Sequence, residues 1–142
     1  MDNNIHFTVD VDIAARPERV WQVMSDVEHW PEWTASVTSI RRLDKGPFAV
    51  GSRAIIKQPK FPPALWKVTA IEPNRFTWKS GMPGLWVFGR HSVDPNAGGS
   101  RATLSVEYTG LLGPLMGRLT RGITKRYLKL EAEGLKKRSE TA

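Results

Sequence analysis

From Leu112 to Leu130 the apolar residues Leu112, Leu115, Met116, Leu119, Ile123, Tyr127 and Leu130 share one side of a helical wheel. Arg118, Arg121, Lys125, Lys129 and Lys136 lie opposite, and Arg126 is the one cation that the wheel puts on the apolar side. A stripe of this kind must be buried. It predicts a long C-terminal helix, and a helix without a helical partner of similar length can hide its stripe only against a sheet.

The preceding sequence supplies that sheet. In IHFTVDVDI, residues Ile5, Phe7, Val9, Val11 and Ile13 alternate with His6, Thr8, Asp10 and Asp12, the period of a half-buried strand. The period then changes. Pro17 suits a first helical turn and Glu18 suits its dipole, and Val20, Trp21, Val23, Met24 and Val27 recur at helical spacing. Ser25 and Asp26 break this helix, so DVEHW reads as a second short one that Pro31 ends or redirects. Six strands follow: SVTSIRRL, SRAIIKQP, ALWKVTAIEP, RFTWKS, LWVFGRHSV and RATLSVEYTG. The turns between them are DKGPFAVG, KFPP, Pro73-Asn74, GMPG and the loop DPNAGGS. A sheet of this size curves. Held off by one helix, it leaves a space where a pocket can form.

Composition narrows the options. The 142 residues contain no cysteine, which excludes disulfides, thiolate metal sites and cysteine nucleophiles. With an acidic, polar N-terminal stretch and no apolar run of membrane length, a cytoplasmic location is expected. The net charge of +7 admits an acidic partner without requiring one. There is no glycine-rich phosphate loop, no metal-spaced His/Asp/Glu cluster and no nucleophile elbow. No cofactor and no metal are expected.

The order of elements, with VWQVMSDVEHWPEW, VGSRAIIKQPKFPPALWKVTAIEPNRFTW and GSRATLSVEYTG, resembles the START-like (SRPBCC) helix-grip superfamily. More narrowly, it is similar to the polyketide cyclase/dehydrase and lipid-transport branch, over essentially the whole chain. The resemblance implies an α+β fold in a single domain, residues 1–142. A seven-stranded curved antiparallel sheet would surround a long C-terminal helix, with two short helices after strand 1. It implies that Trp30 and Trp33 close one end of the grip while Trp21 packs the first helix behind them.

The candidates for chemistry are His91, Tyr108 and Arg126. His91 shares the parity of Leu85, Val87 and Gly89 and is a possible general base. Arg126 is placed to hold a ligand carboxylate or phenolate if it points inward, and otherwise snorkels outward. Tyr108 shares the apolar parity of Leu104 and Val106, whereas Glu107 is expected to face solvent. Arg53 cannot be placed by alternation. The expected cavity lining is Trp66, Phe76, Trp78, Met82, Val87, His91, Leu104, Val106, Tyr108, Met116, Leu119, Ile123, Arg126 and Tyr127. SGMPG and TGLLGPLMG read as mobile lips around an opening.

Three functions are compatible with this reading. The first is binding or carriage of a small hydrophobic molecule such as a lipid, polyketide, isoprenoid or aromatic metabolite. The second is a polyketide cyclase or dehydratase acting in the same cavity. The third is an interaction module working through the basic C-terminal helix on an acidic protein, a membrane surface or RNA, although no specific nucleic acid is expected.

Overall fold

The structure, a computed structural model, describes residues 5–141. Strand β1 (Ile5–Ile13) leads into α1 (Pro17–Ser25) and a short 3-10 helix (Val27–Glu32) that contains Pro31. Six strands follow: β2 (Ser39–Arg42), β3 (Arg53–Lys57), β4 (Ala64–Glu72), β5 (Arg75–Met82), β6 (Leu85–Asn96) and β7 (Gly99–Thr109). Two helices close the order, α2 (Gly113–Leu119) and α3 (Arg121–Glu140).

The seven strands form one antiparallel sheet in the order β1-β7-β6-β5-β4-β3-β2. Each of the three hairpins from β4 to β7 is joined through two residues. The first pairs Glu72 with Arg75, and Asn74 takes the left-handed φ of 64° that such a turn needs. In the last, pairing continues to Asn96 and Gly99, so the expected loop DPNAGGS shrinks to Ala97-Gly98. A bulge between Val68 and Ala70 bends β4 and adds to the curvature. The sheet grips α3, as the expected helix-grip architecture requires.

The inner face carries Phe7, Val68, Phe76, Trp78, His91, Val93, Leu104 and Tyr108, all buried. Val20, Val23, Met24, Val27 and Trp30 cover it from α1 and the 3-10 helix. Trp30 donates its indole N–H to the Met24 carbonyl at 3.0 Å, which satisfies its one polar group. Its ring lies 5.7 Å from Trp33 and 5.4 Å from Trp78. The two tryptophans are packing anchors at one end of the grip, and Trp21 meets Phe76 edge-on at 6.1 Å.

The continuous C-terminal stripe is corrected. The helix breaks at Thr120, with φ −103° and ψ 10°, and α3 starts in a new phase. Leu112, Leu115 and Leu119 are exposed. The buried face of α3 is instead Thr124, Leu128, Ala132, Leu135 and Ser139. Two devices hold α3 in place. Gly134 lets it press against Trp33: a Cβ there would lie 1.9 Å from the Trp33 carbonyl oxygen. At its C-terminus, Arg19 donates to the carbonyls of Arg138 and Thr141 at 3.2 and 3.0 Å. A cation on unpaired helix-end carbonyls is favoured by the dipole.

Glu107 also departs from expectation. It lies on the outer face of β7, yet it is buried beneath His6, at 3.3 Å, and Arg90, at 2.8 Å.

Candidate functional site

Between the inner face of the sheet and α3 lies a cavity of about 100 Å³. Its lining is rich in aromatic side chains: Trp30, Phe61, Trp66, Trp78, Tyr108 and Tyr127. Gly89 deepens it, because a Cβ there would press on the Trp78 ring at 3.2 Å. The polar groups on the lining come from Gln58, His91, Ser105, Tyr108, Thr124, Tyr127 and Glu131. Neither Lys nor Arg is among the lining residues, although the chain carries a net charge of +7.

Alternation along β6 turns His91 inward with Gly89 and Val93. Its ring stacks on Phe76 at 4.3 Å and 3° and approaches Trp30 at 5.4 Å. Its Nδ1 has no hydrogen-bond partner. Burial pushes its pKa down to about 3, with the Phe76 backbone acting in the opposite sense. The imidazole is therefore neutral and held as an aromatic wall.

Tyr108 turns inward from β7, and its hydroxyl lies 2.8 Å from Thr124 Oγ1 and 3.0 Å from Thr120 Oγ1. This small network ties the sheet to the first turn of α3. Tyr127 donates its hydroxyl to the Pro59 carbonyl, and its ring meets Phe61 edge-on at 6.1 Å. The segment 58–63 between β3 and β4 thus lies as a strap beside the helix. Burial raises the Tyr127 pKa, with Arg126 opposing.

Glu131 was not among the candidates. It lines the cavity from α3, and among the described residues its carboxyl has neither a hydrogen-bond nor an ion-pair partner. Burial pushes its pKa up to about 8, so at neutral pH it is mostly a carboxylic acid. The signal was in the spacing. Thr124, Leu128, Glu131 and Leu135 recur at intervals of four, three and four, which is one face of a helix.

Of the expected lining, Trp66, Trp78, Val87, His91, Leu104, Val106, Tyr108 and Tyr127 border this cavity. Phe76 is buried in the core beside it. Met82 and Leu119 are 64% and 70% exposed, on a hairpin end and on α2. Met116 packs against the core, and Ile123 is half-buried. Arg126 is exposed, so the inward position considered for it is not adopted. Arg53 pairs with Asp44 at 3.1 Å on the surface. Among the described residues, no group of three His, Asp or Glu is placed to hold a metal, and no helix is long and apolar enough to cross a membrane.

The family model described as polyketide cyclase / dehydrase and lipid transport matches residues 4–140. The chain belongs to this family. Solved structures share its helix-grip fold. The aromatase/cyclase Zhui from Streptomyces sp. R1128 superposes with a TM-score of 0.77 at 13% identity, over 96% of this chain and 94% of that one. A START superfamily protein from Mycobacterium smegmatis gives 0.70 at 18% identity, over 95% and 97%. At these identities the likeness is one of fold. An uncharacterized protein of Mycobacterium tuberculosis is 31% identical over 51 residues, which span 36% of this chain but only 30% of that protein.

Proposed function

We propose that this chain binds a small, neutral hydrophobic ligand (lipid, polyketide, isoprenoid or aromatic metabolite) in the cavity between the sheet and α3. The observation that carries this reading is an aromatic-walled cavity with one unpartnered acid and no cation on its lining. A carboxylate ligand would meet Glu131 without a counter-charge. A carbonyl or phenol oxygen would instead accept a hydrogen bond from the protonated acid.

The volume bears on how such a ligand enters. Ligand pockets commonly measure roughly 300–1,000 Å³, several times the space here. Binding a metabolite of that size requires the site to widen. The strap 58–63 is the element suited to this, because it meets α3 through the Tyr127–Pro59 hydrogen bond and the Phe61 ring.

The test is a panel of ligands followed by native mass spectrometry and tryptophan fluorescence, since Trp30, Trp66 and Trp78 border the cavity. Neutral aromatic ketones and isoprenoid alcohols should bind, and should do so more tightly than the corresponding carboxylates. Gly89→Val, which fills the notch beside Trp78, should abolish binding. Tight binding of carboxylates, or binding unaffected by Gly89→Val, would remove the reading.

A second reading, a cyclase or dehydratase, is favoured by Glu131. An acid that is neutral near pH 7 inside an apolar cavity can protonate a departing hydroxyl or a carbonyl oxygen. In that case Glu131→Gln abolishes turnover of a polyketide-like substrate while leaving its binding within a few-fold.

A further inference from the structure

Apolar exposure on this molecule is concentrated at one end. Of the eight large hydrophobic residues exposed among the described residues, five lie on two neighbouring segments. Leu111, Leu112, Leu115 and Leu119, at 90%, 47%, 54% and 70% exposure, are on α2 and its approach, and Met82, at 64%, is on the β5–β6 hairpin. The two segments are fastened together. The Leu112 N–H donates to the Gly84 carbonyl at 2.8 Å, and Gly110 passes so close to Gly84 that a Cβ would lie 2.5 Å from its oxygen. Their side chains are therefore presented by one rigid unit.

The chain that carries the exposed leucines and runs into α3 bears charge of one sign. Between Tyr108 and Leu130 the chain has Arg118, Arg121, Lys125, Arg126 and Lys129 and no acidic residue. On the hairpin, Arg75 and Arg90 are paired with Asp94 at 3.3 Å and Glu107 at 2.8 Å, which leaves Lys79, over the Trp86 ring at 4.6 Å, as its further cation. Farther along α3 the cations are used internally: Lys136 pairs with Glu140 at 2.5 Å, and Arg138 with Glu32 at 2.7 Å. Arg118, Arg121, Arg126 and Lys129, by contrast, have no acidic partner among the described residues.

We propose that the exposed leucines of α2, with Met82 and the surrounding cations, form a docking surface for an anionic lipid bilayer. Leucines that enter the acyl boundary while arginines and lysines remain at the headgroups match the division of an interfacial helix. A second copy of the chain is a poorer occupant, because an isologous contact would bring the same cations face to face. This surface is separate from the cavity, so membrane docking and ligand binding succeed or fail independently.

The experiment is co-sedimentation of the full chain with vesicles of phosphatidylcholine, or of phosphatidylcholine mixed with phosphatidylglycerol. The protein should pellet with the anionic vesicles, remain free of the neutral ones, and be released by sodium chloride. Leu115→Asp combined with Leu119→Asp should abolish pelleting. Since both side chains are exposed, thermal unfolding of that variant should stay close to the parent's. Arg118→Gln with Arg121→Gln should weaken binding about thirtyfold, at about 1 kcal/mol per cation. Failure to bind anionic vesicles, or binding that the leucine substitutions leave unchanged, would overturn the proposal. So would a dimer in solution that those substitutions dissociate, since the face would then be covered by a second copy.

Discussion

Tyr127 donates its hydroxyl to the carbonyl of Pro59, 68 residues earlier in the chain. The bond joins α3 to the strap between β3 and β4 at the margin of the cavity. Tyr127→Phe keeps the ring against Phe61 and removes this tie. A hydrogen bond of this kind contributes about 1 kcal/mol, so ligand exchange should become about fivefold faster. Stopped-flow fluorescence with any ligand from the panel measures this. Unchanged association and dissociation rates would show that the strap is not the gate.

Two groups on the cavity wall should give stability an unusual pH profile. His91 falls from 6.5 to about 3 on folding. The unfolded chain takes up a proton below pH 6.5 that the folded chain refuses, so stability is lost as pH falls through this window. Glu131 rises from 4.5 to about 8. The folded chain keeps a proton that the unfolded chain releases, so stability is lost as pH rises from 4.5 to 8. Each slope is at most about 1.4 kcal/mol per pH unit, and water at the cavity margin reduces it for Glu131. The two contributions oppose each other between pH 4.5 and 6.5, and only the Glu131 loss remains from 6.5 to 8. Thermal stability across that upper window should fall more steeply for the parent than for Glu131→Gln, which keeps only the smaller loss from exposed His29, whose pKa is raised by its hydrogen bond to Asp26. Parallel curves would mean that the carboxyl is ionised throughout.

Gly134→Ala tests the contact that seats α3. In an open helix this change gains about 1 kcal/mol. Here the new methyl would meet the backbone of Trp33, which cannot swing aside. Overpacking of this kind costs about 1–3 kcal/mol, so urea unfolding should show a net loss. A stabilised variant would mean that the helix lifts off Trp33 freely.

Tyr108→Phe removes the hydroxyl between Thr120 and Thr124. The threonine hydroxyls lose a partner at the break between α2 and α3, at a cost of about 1–3 kcal/mol. Amide hydrogen exchange should quicken in the first turn of α3 more than in its last. Uniform exchange along the helix would place the anchoring elsewhere.

Much of the architecture was legible because it rests on local rules. Alternation from Ile5 to Ile13 placed β1, and Pro17, Ser25 and Asp26 bracketed α1. The same parity put His91, Leu104 and Tyr108 on the inner face. The C-terminal region was misread for a definite reason. A single wheel drawn from Leu112 to Leu130 carries the phase of α2 through the break at Thr120, where the backbone leaves the helical path. Such a wheel sets Arg126 at the edge of the apolar stripe, open to either side, and leaves Leu128 and Glu131 off it. Glu107 was misjudged because alternation assigns a face but not a neighbour: only pairing brings Arg90 and His6 over it.

The contacts of α3 also set an order of events. Arg19 on α1 is held by carbonyls of Arg138 and Thr141, and the Ala14 N–H by Glu140 at 2.8 Å. These contacts form last, because on the ribosome the β-strands emerge before the helix that packs on their aromatic face. Until residues 121–140 leave the exit tunnel, the part of that face that α3 covers stands open in the nascent polypeptide, a state prone to self-association. A stall in translation upstream of α3 would thus yield a chaperone client rather than a smaller working protein.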